Sequence, residues 1–254
     1  MLDLNSWLHR AVSVSFGSRN NLMDSPSLSV ITAVYRNADT IEELWARVAK
    51  TLGDAALSFE MIFVDDACPA ASGATIAHIA RQDSRVRVIT NPTNLGQDQA
   101  LVEGLRTCVG RVAVLMDADL QDLPEVIPLL VEHLETTDSD AVFADRTGQY
   151  ESYGRLASSL IYRRLLARLT NLPPRACLFV ALSRRMVDTV LGQHSACPWL
   201  LPRLSISGLV FDSVPFKRDP RRLGRSAYST WKRVRKGTSS LLWALALRAQ
   251  SRVP

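Results

Sequence analysis

The chain has 254 residues, of which 47% are hydrophobic and 22% charged, with a formal net charge of +5. That composition is ordinary for a globular domain, and the length suffices to bury a full core. It excludes wholesale disorder, a collagen-like repeat and a disulfide-stapled miniprotein. Cys68, Cys108, Cys177 and Cys197 are scattered, with no C-x-x-C pair and no histidine at metal-ligand spacing. They read as thiols of a reducing compartment.

In chain order, residues 28–34 read as a buried strand and 40–52 as an amphipathic helix. Residues 59–64 form a second apolar run that stops at Asp65-Asp66. Helical spacing over 71–81, a short strand at 86–90 and a helix over 97–108 follow. Residues 112–116 read as a strand, 124–134 as a helix opened by a proline, and 141–144 as a further strand. Beyond Arg146 the pattern weakens: helices are expected over 155–169 and 184–191, a late edge strand over 209–214, and one or two helices over 226–249. Strands alternating with helices of this length argue for an α/β fold, a mostly parallel sheet covered on both faces.

Charge is divided unevenly. Residues 216–254 hold eleven basic side chains and a single acid, a net +10, which leaves −5 for the rest. A basic end on an acidic body suits an anionic partner, although a solvated basic helix fits the same pattern. No nucleic-acid motif accompanies it. The first ten residues place Asp3 where a secretory signal carries lysines, and Leu241–Leu247 falls far short of the ~20 residues that span a bilayer. A cytoplasmic chain, neither secreted nor membrane-spanning, is the expectation.

The acids gather where strands end: Asp65 and Asp66 after the second, Asp117 and Asp119 after the fourth. Ligands of open α/β sheets bind outside the carboxyl ends of the strands. Asp117, Asp119 and Gln121 are two apart, so an extended backbone turns them to one side. Two carboxylates and an amide oxygen suit Mg²⁺ or Mn²⁺ shared with substrate phosphates. The spacing alone fits equally a carboxylate that caps the following helix.

Four blocks then stand in order: Leu-Ser-Val-Ile-Thr-Ala-Val-Tyr (28–35), Ile-Phe-Val-Asp-Asp (62–66), Asn-Leu-Gly-Gln (94–97) and Val-Leu-Met-Asp-Ala-Asp-Leu-Gln-Asp-Leu-Pro-Glu (114–125). Together they make the chain resemble the family 2 glycosyltransferases of GT-A fold, and within them the dolichyl- and undecaprenyl-phosphate sugar transferases. The likeness covers about residues 28 to 192 and, more faintly, 221 to 228. It implies the GT-A three-layer fold over 27–215, preceded by an extension (1–26) and followed by a basic amphipathic segment (216–254).

The same resemblance implies the site. Ala33, Tyr35, Asn37, Asp65, Asp66 and Ala118 would hold the nucleotide, and Asp117, Asp119 and Gln121 the metal. Arg146 would join Asp117 and Asp119 in catalysis, while Arg155, Arg221 and Ser226 would face the acceptor phosphate. The partners implied are a nucleoside-diphosphate sugar and a polyprenyl-phosphate-type acceptor, transferred with inversion, with peripheral membrane contact through the basic tail; oligomeric state is not implied. The chain departs from the family at Ala33, where a proline is usual, and at Asn37, where an acid is common. It also departs at Leu178–Ala181, where an acid and an arginine are replaced. A transferase for a soluble glycan or small-molecule hydroxyl therefore stays open, as does a non-catalytic sugar-nucleotide-binding protein.

Overall fold

A computed structural model describes residues 26–70, 72–147, 165–217 and 230–250, apart from the side chains of 146, 147, 217, 230–234, 236, 248 and 250. The strands are β1 (Leu28–Val34), β2 (Phe59–Asp65), β3 (Val86–Thr90), β4 (Val112–Leu115), β5 (Ala141–Thr147), β6 (Val180–Ser183) and β7 (Phe211–Lys217). The helices are α1 (Ile41–Asp54), α2 (Ser72–Gln82), α3 (Gln97–Thr107), α4 (Ile127–Thr136), α5 (Arg184–Gly192), α6 (Leu200–Ser205) and α7 (Thr230–Gln250). One seven-stranded sheet runs in the order β3-β2-β1-β4-β6-β5-β7.

The sheet is parallel except around β6, which is antiparallel to both β4 and β5. Every residue of β2 is buried, and β1 is buried at all but one position, as strands covered on both faces must be. Alternating side chains divide the core in two. Leu28, Val30, Met61, Phe63 and Val114 pack with Leu44 and Val48 of α1, Ile76 of α2 and Leu130 of α4. Ile31, Ile62, Val64 and Leu115 pack on the other face with Leu101 and Leu105 of α3, Met186 of α5, Leu200 of α6 and Ala244 of α7. This is a three-layer α/β sandwich.

The expected elements that fall within the described residues are present, with ends shifted by up to three residues; the extension over 1–26 and the helix expected over 155–169 lie largely outside the described residues. β5 runs three residues further than expected, to Thr147. Pro124 opens a 3₁₀ turn, Pro124–Val126, before α4 begins at Ile127. β6 and α6 are additions: four residues of strand and six of helix, the latter with Pro202 inside, are too short to give a period. The late edge strand is β7, and it contains the expected 215/216 boundary. The basic end is therefore joined to the sheet, and Ala244 and Leu247 of α7 are buried against the core.

Because β1 has β2 on one side and β4 on the other, the chain leaves the β1–β4 pair in opposite directions. A crevice is thereby opened at their carboxyl ends, the position where doubly wound sheets bind ligands.

Candidate active site at the carboxyl ends of the strands

Three loops meet at that crevice. Each contains a residue held at positive φ: Arg36 (62°) after β1, Ala67 (52°) after β2 and Leu120 (60°) after β4. Left-handed backbone at residues bearing a side chain costs about 1–3 kcal/mol and concentrates at functional sites. The first two loops are tied together where the Arg36 N–H donates to Cys68 Sγ at 3.0 Å.

The D-x-D segment does not continue as extended chain. Residues 118 and 119 turn, and Leu120 is left-handed, so the side-by-side arrangement expected from a persisting strand does not form that way. Burial nevertheless alternates: Ala118, Leu120 and Asp122 are buried, while Asp117, Asp119 and Gln121 remain partly open to solvent. Asp122, fully buried, makes the turn: its Oδ2 accepts the Asp117 N–H at 3.1 Å. Thr40 Oγ donates to the Ala118 carbonyl at 2.6 Å, and Arg47 of α1 makes a bidentate pair with Glu125 at 2.9 and 2.7 Å. These bonds fix the loop to α1. Asp119 Oδ1 accepts the Gln121 N–H at 3.2 Å, and Asp117 Oδ1 accepts from Gln97 Nε2 at 2.5 Å.

The residues expected to hold the nucleotide flank this turn. Ala33 lies in β1 beside Val64, Tyr35 is half-buried, and Asn37 Oδ1 accepts the Tyr35 N–H at 3.3 Å. The Arg36 guanidinium stacks on the Tyr35 ring, 5.4 Å from its centroid. Asp65 Oδ1 accepts the Cys68 N–H at 2.9 Å, and Gly73 leaves no room for a side chain beside Oδ2, where a Cβ would come to 2.7 Å. Asp66 is different. It is 2% exposed, and its carboxylate accepts from Asn91 Nδ2 and the Leu95 and Gly96 N–H groups, at 2.8–2.9 Å. Both its oxygens are engaged by the chain itself.

Arg146 stands at a register position opposite Phe216 on β7, and its side chain lies outside the described residues. Arg155, Arg221 and Ser226 also lie outside them. The structure thus brings together the β1, β2 and β4 ends and adds Gln97 and Asp122, which sequence reasoning did not assign. Gln97 was visible in the Asn-Leu-Gly-Gln block, but its contact is 20 residues away in sequence.

Among the described residues, no three His, Cys, Asp or Glu side chains gather as a metal site. The half-open donors are instead two carboxylates and one amide. That hard-oxygen set is incomplete for Mg²⁺ or Mn²⁺ alone and fits a cation whose remaining ligands are water and substrate phosphate.

An α/β sandwich with acids at the β1–β4 crevice places them where doubly wound sheets bind ligands. The family model of glycosyl transferase family 2 matches residues 29–191, and the chain belongs to that family. It is 25% identical over 223 residues to an uncharacterized glycosyltransferase of Synechocystis sp., covering 87% of this chain and 67% of that one. It is 27% identical over 215 residues to an undecaprenyl-phosphate 4-deoxy-4-formamido-L-arabinose transferase of Sodalis glossinidius, covering 84% and 66%. The chain spans about two-thirds of the length of these relatives. In fold it is similar to a mannosyltransferase of Pyrobaculum calidifontis solved with GDP-Man and Mn²⁺ (TM-score 0.59, 16% identity, 98% of this chain and 80% of that one). It is also similar to glucosyl-3-phosphoglycerate synthase of Mycobacterium tuberculosis solved with Mn²⁺, UDP-Glc and phosphoglyceric acid (TM-score 0.65, 19% identity, 88% and 80%). The fold is therefore GT-A and the protein a glycosyltransferase.

Proposed function

We propose that this glycosyltransferase moves a sugar from a nucleoside diphosphate to a polyprenyl-phosphate-type acceptor, with inversion at the anomeric carbon. The observation that carries the reading is the D-x-D turn, its carboxylates half-open at the crevice and its backbone fixed by Asp122, Thr40 and the Arg47–Glu125 pair. Similarity to a relative named for undecaprenyl phosphate favours the lipid acceptor.

In this reading Ala33, Tyr35, Asn37, Asp65 and Ala118 form the nucleotide wall. Asp119, with Gln121 and Asp117, would hold Mg²⁺ or Mn²⁺, which when bound neutralises charge on the donor diphosphate. Arg146 adds positive charge to the same leaving group, and Arg155, Arg221 and Ser226 receive the acceptor phosphate. A phosphate monoester, with a second pKa of about 6, is largely ionised at neutral pH. Such an acceptor attacks without a general base, which makes the replaced acid at Leu178 tolerable. A soluble acceptor is the second reading: a neighbour in fold was solved with phosphoglyceric acid, and the acceptor-side departures at Leu178 and Val180 favour it.

A panel of nucleotide sugars with Mn²⁺, with and without polyprenyl phosphate, tests this by nucleoside diphosphate release. Release that depends on the lipid phosphate supports the first reading, and release with a soluble acceptor alone the second. No release from any donor overturns both.

Among the described residues no helix is long and apolar enough to cross a membrane. Helix α7 offers a peripheral contact instead. Ser240, Ala244 and Leu247 face the core, while Leu242 (66% exposed) and Leu245 (47%) point outward with Ala246 and Ala249, in line with Arg235. Leu241 and Trp243 are half-buried. An apolar stripe on a helix within a net +10 segment suits an anionic lipid surface. Replacing Leu242 and Leu245 by serine should weaken co-sedimentation with phosphatidylglycerol vesicles about tenfold, by removing ~1.4 kcal/mol of apolar burial. Undiminished sedimentation of the double variant would exclude this face as the contact.

A further inference from the structure

Asp117 lies where β4 has ended and the chain begins to turn, half-open to solvent. A carboxylate there samples several rotamers unless something holds it. Gln97 Nε2 donates to Asp117 Oδ1 and so restrains it here. An amide is well suited to hold a metal-binding carboxylate. A lysine or arginine in its place would cancel the charge that the carboxylate must present to a cation, whereas an amide fixes direction and leaves the charge intact.

Gln97 is in turn fixed from outside. It is the first residue of α3, preceded by Gly96 at φ 85°, a conformation open to glycine and strained for other residues. The Leu95 and Gly96 N–H groups are both spent on the Asp66 carboxylate, Asn91 Nδ2 adds a third bond, and Asn94 Nδ2 donates to the Asp66 carbonyl at 3.1 Å. A run of fixed groups therefore leads from the end of β2, through the Asn94–Gly96 loop, to the first carboxylate of the D-x-D turn.

We propose that Gln97 is a positioning residue for the transfer reaction, setting the Asp117 carboxylate, and that Asp66 acts through Gln97 by anchoring the loop rather than by touching nucleotide. Asp66 is buried, and its carboxylate already accepts three hydrogen bonds, from Asn91 and from the loop that presents Gln97, which fits an anchor better than a nucleotide ligand. The inference rests on the transferase reading for its functional consequence, and on geometry alone for its structural one.

Three variants test it: Gln97→Ala, Asp66→Asn and the double substitution. Crystal structures of wild type and Gln97→Ala come first, because they do not depend on the reaction. The Asp117 side chain is expected to leave its wild-type rotamer in the variant, and an unmoved Asp117 overturns the proposal. Calorimetric titration with Mn²⁺ in the presence of UDP or GDP comes second. Partners that orient metal ligands are worth about 10–100-fold in metal affinity. Gln97→Ala is therefore expected to weaken Mn²⁺ at least about tenfold while nucleotide affinity measured without metal stays put. Asp66→Asn, which loses an acceptor oxygen, should give the same pattern, and the double variant should be no worse than either single one. If Asp66→Asn instead weakens nucleotide binding without metal and spares Mn²⁺, Asp66 is a direct ligand and its part of the proposal falls. Failure of the wild type to release nucleoside diphosphate from any donor sinks the transferase reading, and the rotamer result still decides the role of Gln97.

Discussion

Asp119→Ala should lower metal-dependent sugar transfer by at least about 10²–10³-fold, the usual cost of removing a group that stabilises charge developing in the transition state. Asp119 is half-open at the crevice, between the buried Ala118 and the buried, left-handed Leu120. Its neighbours are fixed without it: Thr40 holds the Ala118 carbonyl, and Asp122 holds the Asp117 N–H. Asp119 itself accepts the Gln121 N–H at 3.2 Å, and loss of that bond should cost about 0.5–1.5 kcal/mol. For a chain of this size that is a fall of only a few degrees in melting temperature. The measurement is nucleoside diphosphate release at saturating donor over a Mn²⁺ titration, with thermal unfolding alongside. Full turnover of the variant in excess Mn²⁺ would remove Asp119 from the metal set. Asp122→Ala is the contrast: fully buried, it should lose activity and stability together, because the loop itself comes apart.

The parallel half of the sheet was legible because its strands repeat one pattern: an apolar run, a turn residue, then a helix with a clear period. β6 carried no such signal. Its four residues pack against β4 and β5 in the opposite direction, and only tertiary pairing shows them to be a strand. The D-x-D acids were found by type and position. The conformation that presents them was not, because Leu120 at φ 60° is a choice enforced by its surroundings and unannounced by a leucine. Asp65 and Asp66 make the same point more sharply. Adjacent and chemically identical, they read as a pair, yet Asp66 is buried and accepts from Asn91 and from the Leu95 and Gly96 N–H groups. A sequence lists its polar groups; only the fold says which have already found their partners.

The three positive-φ residues of the site connect these observations. Arg36, Ala67 and Leu120 follow β1, β2 and β4, and the Arg36 N–H ties the first of these loops to Cys68 of the second. Strain of this kind persists only where the surroundings over-determine it. Thr40, at the entry to α1, and Arg47 within it tie the loop after β4 to that helix. The site is therefore rigid by construction, in keeping with catalysis by preorganised charge.

The same logic applies at the far end of the sheet, where Gly110→Ala should be strongly destabilising. Gly110 is glycine for want of space, not for a left-handed backbone. A Cβ there would meet Ser29 N at 2.5 Å and Leu28 C at 2.6 Å, both backbone atoms that cannot move aside. The close approach serves a network. The Gly110 N–H donates to Ser29 Oγ at 2.8 Å, Ser29 Oγ donates to Glu60 Oε1 at 2.6 Å, and the Val109 N–H and Arg87 both donate to the buried Glu60 carboxylate. Arg184 of α5 reaches the Gly110 carbonyl at 2.5 Å. An added methyl therefore forces α3's exit away from β1 and loosens bonds that satisfy a buried acid. Overpacking at about 1–3 kcal/mol, together with a weakened hydrogen bond, predicts a loss of about 2–4 kcal/mol and a melting temperature lower by roughly 5–15 °C. Gly53→Ala, in α1 with nothing within 4 Å of the added carbon, should be neutral or stabilising by up to about 1 kcal/mol. Thermal unfolding of the two variants beside wild type decides the matter. Equal melting temperatures for Gly110→Ala and Gly53→Ala would mean that β1 and the β4 entry do not approach as closely as the network requires.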